Sequence, residues 1–129
     1  MNTARKLGLS ALLVAIACVV PACQSTGGAG AATGAATLFK GMGTHHRAVT
    51  TVSPDAQRHI DQGLTWAFAF NHDEAIRSFE QATKLDPQCP MAWWGIAYCN
   101  GPHVNNPVMD EAHSKAAWEA VQHAQGLKN

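Results

Sequence analysis

The sequence predicts an all-α domain of antiparallel helix hairpins, preceded by an N-terminal signal and a flexible tether. Three observations support this fold class. Ser53 and Pro54 form a strong helix start, because Ser can cap a helix and Pro suits its first position. Apolar residues then recur at helical spacing, as at Ile76 and Phe79. A segment with two prolines, residues 86–90, ends one helix and opens the next.

The first 23 residues have the three-part layout of an export signal. Arg5 and Lys6 precede an uncharged apolar run at residues 7–20, and small residues close the segment. That run is shorter than the roughly 18–20 residues that span a bilayer as a helix. We therefore predict export, with a retained transmembrane helix as the alternative.

The end of this segment, Val20 to Cys23, resembles the lipobox of bacterial lipoproteins. The resemblance implies that Cys23 becomes the lipidated first residue of the mature chain, with palmitate among its acyl groups. The protein would then be anchored to a membrane of the bacterial cell envelope and face the periplasm or the outside. Cys18 is the second candidate for lipidation. An ordinary cleaved signal is the alternative, and it would leave a secreted or periplasmic protein.

Residues 24–37 contain only Gln, Ser, Thr, Gly and Ala, so they predict a tether. Behaving as a flexible coil, a segment of this length would span about 20 Å. All nine aromatic residues of the chain follow the tether. The folded domain is therefore expected at residues 38–129.

Composition and motifs exclude several functions. Nine Lys and Arg balance nine Asp and Glu, and no segment clusters the cations that nucleic-acid binding requires. The carboxylate pairs at 73–74 and 110–111 are expected in the first turns of helices, where the dipole favours negative charge. The sequence has no phosphate-binding Gly-rich loop, nucleophile elbow or Cys-x-x-Cys motif. We predict a protein that is not an enzyme and needs no cofactor.

Start and stop signals predict four helices after the tether. The first expected helix runs from Pro54 to about Phe70, and the second from the turn at Asn71 and His72 to Leu85. The third runs from about Met91 to Cys99. The fourth starts at Pro107, with Asn106 as its cap, and ends at about Gln125.

Cys89 and Cys99 are the thiols of the folded part. An exported protein meets an oxidising compartment in which disulfides persist. A helix of ten residues between the two would however separate them by about 15 Å, which is beyond disulfide reach. Buried free thiols are therefore expected.

The first hairpin resembles a tetratricopeptide (TPR) repeat, a helix–turn–helix unit. The resemblance implies a short α-solenoid, in which helix pairs stack because none buries its apolar face alone. Repeat one spans about 56–89. Its matching positions are Gly63, Trp66, Ala75, Phe79, Ala82 and Pro87.

A degenerate second repeat follows at about 90–126. The pattern restarts at Pro90, and Trp93, Ile96 and Ala97 fall at the expected positions. A loop insertion then shifts the second helix of this repeat, so that Ala117, Val121 and Ala124 correspond to Ala75, Phe79 and Ala82. The alternative register aligns Ala112 with Ala75.

The TPR resemblance also implies a binding groove, because residues at fixed positions of the first helix of each repeat commonly face the ligand in this family. The surface expected here is apolar and aromatic, which suits a protein or peptide partner or a second copy of the chain. The alternative is that the fourth helix or a further repeat covers these side chains as core. The groove residues are Gln57, Ile60, Leu64, Phe68, Met91, Trp94 and Tyr98.

Two other functions stay open. Histidines at bends suggest a metal-binding or enzyme-associated module, although no two lie four residues apart on one helical face. The metal candidates are His45, His46, His72 and His103.

The segments 70–75 and 93–97 are similar to bacterial exported TPR proteins of unassigned role, which usually carry more repeats. The chain is therefore also compatible with a non-functional fragment of a longer TPR protein.

Overall fold

The computed structural model describes residues 36–127, and this part of the chain contains four α-helices and no β-strand. The all-α prediction is confirmed for it. The predicted signal, the lipidation site at Cys23 and most of the tether lie outside the described residues. No helix within them is long and apolar enough to cross a membrane. The helices are α1 (Pro54–Phe68), α2 (His72–Leu85), α3 (Pro90–Asn100) and α4 (Glu111–Gly126).

Helix α1 begins as the sequence predicts and ends two residues early. The hydroxyl of Ser53 accepts a hydrogen bond from the amide of Ala56 at 3.2 Å. At the other end Phe70 has a φ of 61°, and the amide of Asn71 reaches back to the carbonyl of Trp66 at 2.9 Å. This is a Schellman ending, which usually has Gly in the left-handed position. Phe70 gives no such signal in the sequence, so the expected helix was too long.

The start of α4 corrects a second prediction. Asn106 and Pro107 do not begin the helix, because the amide and carbonyl of Asn106 are hydrogen-bonded to His103 at 3.0 Å each in an isolated β-bridge. The helix begins at Glu111 instead. Asp110 caps it, and its carboxylate accepts a hydrogen bond from the amide of His113 at 2.8 Å.

The helices pack in sequence, α1 on α2, α2 on α3 and α3 on α4, and α1 also touches α3. Phe79 of α2 lies fully buried between the two neighbouring helices. A methyl group added at Gly63 of α1 would lie 2.9 Å from this ring, and one at Gly95 of α3 would overlap it. The two glycines therefore allow α1 and α3 to approach Phe79 closely. Ala75 and Ala82, also on α2, are fully buried as well.

Cys89 and Cys99 are free thiols, and both are buried, as expected for two cysteines at opposite ends of α3. Burial raises the pKa of Cys99 to about 12. Its thiol is therefore protonated at neutral pH and is a poor nucleophile or metal ligand.

Candidate interaction surface

Apart from the half-buried Gln57, the predicted groove residues divide into a buried and a more exposed group. Ile60 and Leu64 are 0% and 2% exposed, and they belong to the same core cluster as Ala92 and Ile96 of α3. Helix α1 packs mainly on α2 and also touches α3. They are therefore core residues, and a continuous accessible groove along α1 and α3 is not present in this structure.

The more exposed group forms a surface that we call the aromatic face, made of the exposed Phe68, Trp94 and Tyr98 and the half-buried Met91. Phe68 is 63% exposed, Trp94 42% and Tyr98 48%. The rings of Trp94 and Tyr98 stack with their centroids 5.1 Å apart. Phe68, Met91 and Trp94 line an open depression of about 530 Å³, with Leu64 among its lining residues. The four side chains thus combine into a contiguous apolar surface.

A second depression, of about 880 Å³, adjoins the aromatic face at Met91 and Trp94. Apolar side chains from the end of α4 line its other wall, namely those of Val121, Ala124 and Leu127. Arg47 lines both depressions, and it is the only Lys, Arg, Asp or Glu that does so. Thr50, Gln88 and Gln125 also line the second depression, and His45 and His46 line the first. The surface is therefore mainly apolar, with polar side chains and one guanidinium at its edge.

Residues before α1 lie along that helix, and we call residues 44–51 the strap. Asp61 accepts a hydrogen bond from the amide of Arg47 at 2.9 Å, and its other carboxylate oxygen lies 2.8 Å from Nδ1 of His46. Gln57, a predicted groove residue, is half-buried and hydrogen-bonded to the strap. The sequence did not identify Asp61 as part of this region, because nothing in the helical spacing shows what lies on the polar side of α1.

The histidine candidates do not converge on one point. His45 packs edge-on against Phe68, with ring centroids 6.0 Å apart, and His46 contacts Asp61. His72 and His103 lie together elsewhere, stacked with centroids 3.9 Å apart and ring planes 13° apart. Rings stacked in parallel direct their nitrogen lone pairs side by side instead of toward one ion. Within residues 36–127 no group of three or more His, Cys, Asp or Glu side chains could hold a metal ion.

The stacked pair lies in a small cavity of about 230 Å³, between the start of α2 and the loop that precedes α4. Burial lowers the pKa of His72, and the neighbouring His103 lowers it further. Nδ1 of His103 is buried and has no hydrogen-bond partner among the described residues. The neutral imidazole is therefore favoured at His72, and the pair packs the loop onto the helices.

No protein-family model, curated protein or solved structure matches this chain. The interpretation of the surface therefore rests on its residues and their geometry.

Proposed function

We propose that this domain is a TPR-like protein-interaction scaffold whose aromatic face takes an apolar segment of another protein. The observation that supports it is the stacked pair of Trp94 and Tyr98, which is about half exposed and lies beside the still more exposed Phe68. Contiguous exposed apolar surface of this kind usually marks an interaction site. Trp and Tyr are also enriched among the residues that dominate binding energy at protein interfaces.

The internal repeat supports this proposal independently. Trp94 and Tyr98 lie 34 residues after Ile60 and Leu64, at the equivalent positions of α3 and α1. The first two positions are buried in the core, whereas the second two are about half exposed. A partner that packs on the aromatic face would bury Trp94 and Tyr98, as the core already buries Ile60 and Leu64.

The chemistry of the surface indicates the partner's character. Apolar side chains would fill the two depressions, and a carboxylate next to them would face Arg47. Arg47 is exposed, so such an ion pair would add little affinity and would mainly fix the orientation of the segment.

The proposed setting is the bacterial cell envelope, with the domain held at a membrane by a lipid on Cys23. Support for this setting comes from the sequence alone, through the export signal and the resemblance of residues 20–23 to a lipobox. In that setting the scaffold binds a protein and has no catalytic role.

Photo-cross-linking tests the proposal. Benzoylphenylalanine placed at Tyr98 keeps an aromatic ring on the aromatic face, and the same residue at Val104, which is 78% exposed in the loop before α4, is the matched control. In cells that export the protein, we expect discrete adducts from position 98 that mass spectrometry identifies, and none of these from position 104. The adducts should also disappear with Trp94→Glu. Equal adducts from both positions, or none from position 98, would rule out the aromatic face as the interaction surface.

A further inference from the structure

The strap is held on α1 through its main chain. Gln57 uses both ends of its amide, since Nε2 donates to the carbonyl of Arg47 at 2.8 Å and Oε1 accepts from the amide of Val49 at 3.1 Å. Asp61, one turn further along α1, accepts from the amide of Arg47 at 2.9 Å. Gln57 Nε2 also donates to Asp61 at 3.1 Å, which fixes the two side chains relative to each other. Two polar residues on one helical turn thus contact three main-chain groups of the strap.

The contacts alternate along the strap as they would for an extended peptide. The amides of Arg47 and Val49 are hydrogen-bonded to α1, whereas those of Ala48 and Thr50 have no hydrogen bond among the described residues. Alternate residues of an extended chain point to opposite sides. Main-chain contacts of this type depend on the conformation of the bound segment more than on its sequence.

Four side chains of the strap also make contacts, two of them those of His45 with Phe68 and of His46 with Asp61 described above. Val49 is half-buried against the core, and Thr51 is half-buried with its hydroxyl bonded to Asp86, while the other six side chains of the strap are exposed. The hydrogen bonds to the main chain of Arg47 are exposed, and the one from the amide of Val49 is part-buried. A hydrogen bond that water can replace when it breaks contributes little net stability. The strap is therefore bound by contacts that a competing segment could replace.

We propose that Gln57 and Asp61 form a binding site for an extended peptide main chain, and that the strap is its resident and displaceable ligand. The incoming ligand is an extended segment of another protein with a β-branched apolar residue in the place of Val49. This site lies on α1 beside the aromatic face and does not use Trp94. Displacing the strap would also remove His45, His46 and Arg47 from the edge of the depression that they line.

A peptide supplied in trans tests the site. The probe is a fluorescein-labelled peptide with the sequence of residues 43–52, added to the full mature chain and followed by fluorescence anisotropy. Arg47→Pro in the protein removes the amide that Asp61 binds and should release the resident strap. Ala48→Pro is the matched control, because the amide of Ala48 is not hydrogen-bonded among the described residues.

We expect Arg47→Pro to bind the peptide at least about 10-fold more tightly than Ala48→Pro and the wild type do. In the latter two proteins the resident strap lowers the fraction of molecules whose site is free to bind the peptide. Adding Gln57→Ala to Arg47→Pro should abolish that gain. The proposal would be overturned if the two proline variants bound the peptide equally or if neither showed saturable binding. It would also be overturned if the gain in affinity of Arg47→Pro persisted when Gln57→Ala was added.

Amide exchange in the unmodified protein gives a second readout that needs no variant. The amides of Arg47 and Val49 should exchange more slowly than those of Ala48 and Thr50, and uniform exchange along the strap would also contradict the proposal. Trp94 is unchanged in all these experiments. A negative result would therefore reject the peptide site without bearing on the aromatic face, which the cross-linking experiment tests.

Discussion

At the scale of single residues, Phe79 and the glycines on either side of it show which part of the packing the sequence could predict. Gly63 and Phe79 match consensus TPR positions, and the structure places them in contact range. The predicted second repeat has its matching small residue at Ala97, so the role of Gly95 in packing was not predicted. Its importance depends on how closely α3 approaches the ring of Phe79, which is a property of tertiary packing.

Gly95→Ala should therefore destabilise the domain. A methyl group at this position would overlap the ring of Phe79, and overpacking of this type costs about 1–3 kcal/mol. Gly126→Ala is the control, since a methyl group there meets nothing within 4 Å and Ala favours the helix by up to about 1 kcal/mol. Urea unfolding of the two variants measures the difference, and equal stabilities would contradict the observed contact.

The groove residues show a limit of reasoning from spacing. Ile60 and Leu64 have the same four-residue spacing as Trp94 and Tyr98, yet the first pair is buried and the second is about half exposed. Spacing places both pairs on equivalent sides of their helices. Burial of that side depends on what packs against it in the tertiary structure, and the spacing of the residues does not show this.

At the scale of helices, the four elements were predictable and two boundaries were not. Caps and prolines located the starts of α1, α2 and α3 to within about one residue. For α4, both Asn106 and Asp110 are suitable caps, and the β-bridge between His103 and Asn106 leaves only Asp110 free to act. The structure of the loop therefore determines which of the two possible N-caps starts α4.

The stacked histidines between α2 and this loop predict a pH dependence of stability. The pKa of His72 lies below its usual value of 6.5, because of burial first and of His103 second, and burial also lowers the pKa of His59. As the pH falls below about 6.5, the unfolded chain takes up protons before the folded chain does. The free energy of unfolding should therefore fall on acidification from pH 7.5 to pH 5.5.

Two measurements check this prediction. An NMR titration of the His72 ring should give a midpoint below 6.5, and His103→Ala should move that midpoint upward because the neighbouring charge is removed. Urea unfolding at the two pH values should show a smaller loss of stability on acidification in His103→Ala than in the wild type. A midpoint at or above 6.5, or identical pH dependence in the two proteins, would contradict the assignment.

At the scale of the whole molecule, the two outer sides of the helix stack differ. Residues before α1 cover one side, where the side-chain amide of Gln62 bonds to the carbonyl of Thr37 and the amide of Phe39. On the other side α4 has one buried residue, Ala120, and Trp118 is 65% exposed. The aromatic face, which is also about half exposed, is the surface on which we propose that a protein partner packs.

The proposed lipid anchor gives a prediction for the N-terminal segment. Cys23→Ala should abolish incorporation of labelled palmitate and release the protein to the soluble fraction, because Cys23 ends the segment that resembles a lipobox. Cys18→Ala is the matched control and should retain the label. Label that persists in Cys23→Ala and disappears in Cys18→Ala would reassign the anchor, and absence of label in the wild type would reject lipidation.

The most direct test of the aromatic face as a surface compares Trp94→Glu with Ile60→Glu by urea unfolding, since the two residues occupy equivalent positions in the two hairpins. Trp94 is 42% exposed, so its replacement should keep the helical circular dichroism and cost about 0.5–1.5 kcal/mol, as for the loss of an aromatic pair. Ile60 is fully buried, and a carboxylate in its place should cost at least about 4 kcal/mol. Equal and large losses in both variants would show that Trp94 is a core residue and would contradict an accessible aromatic face.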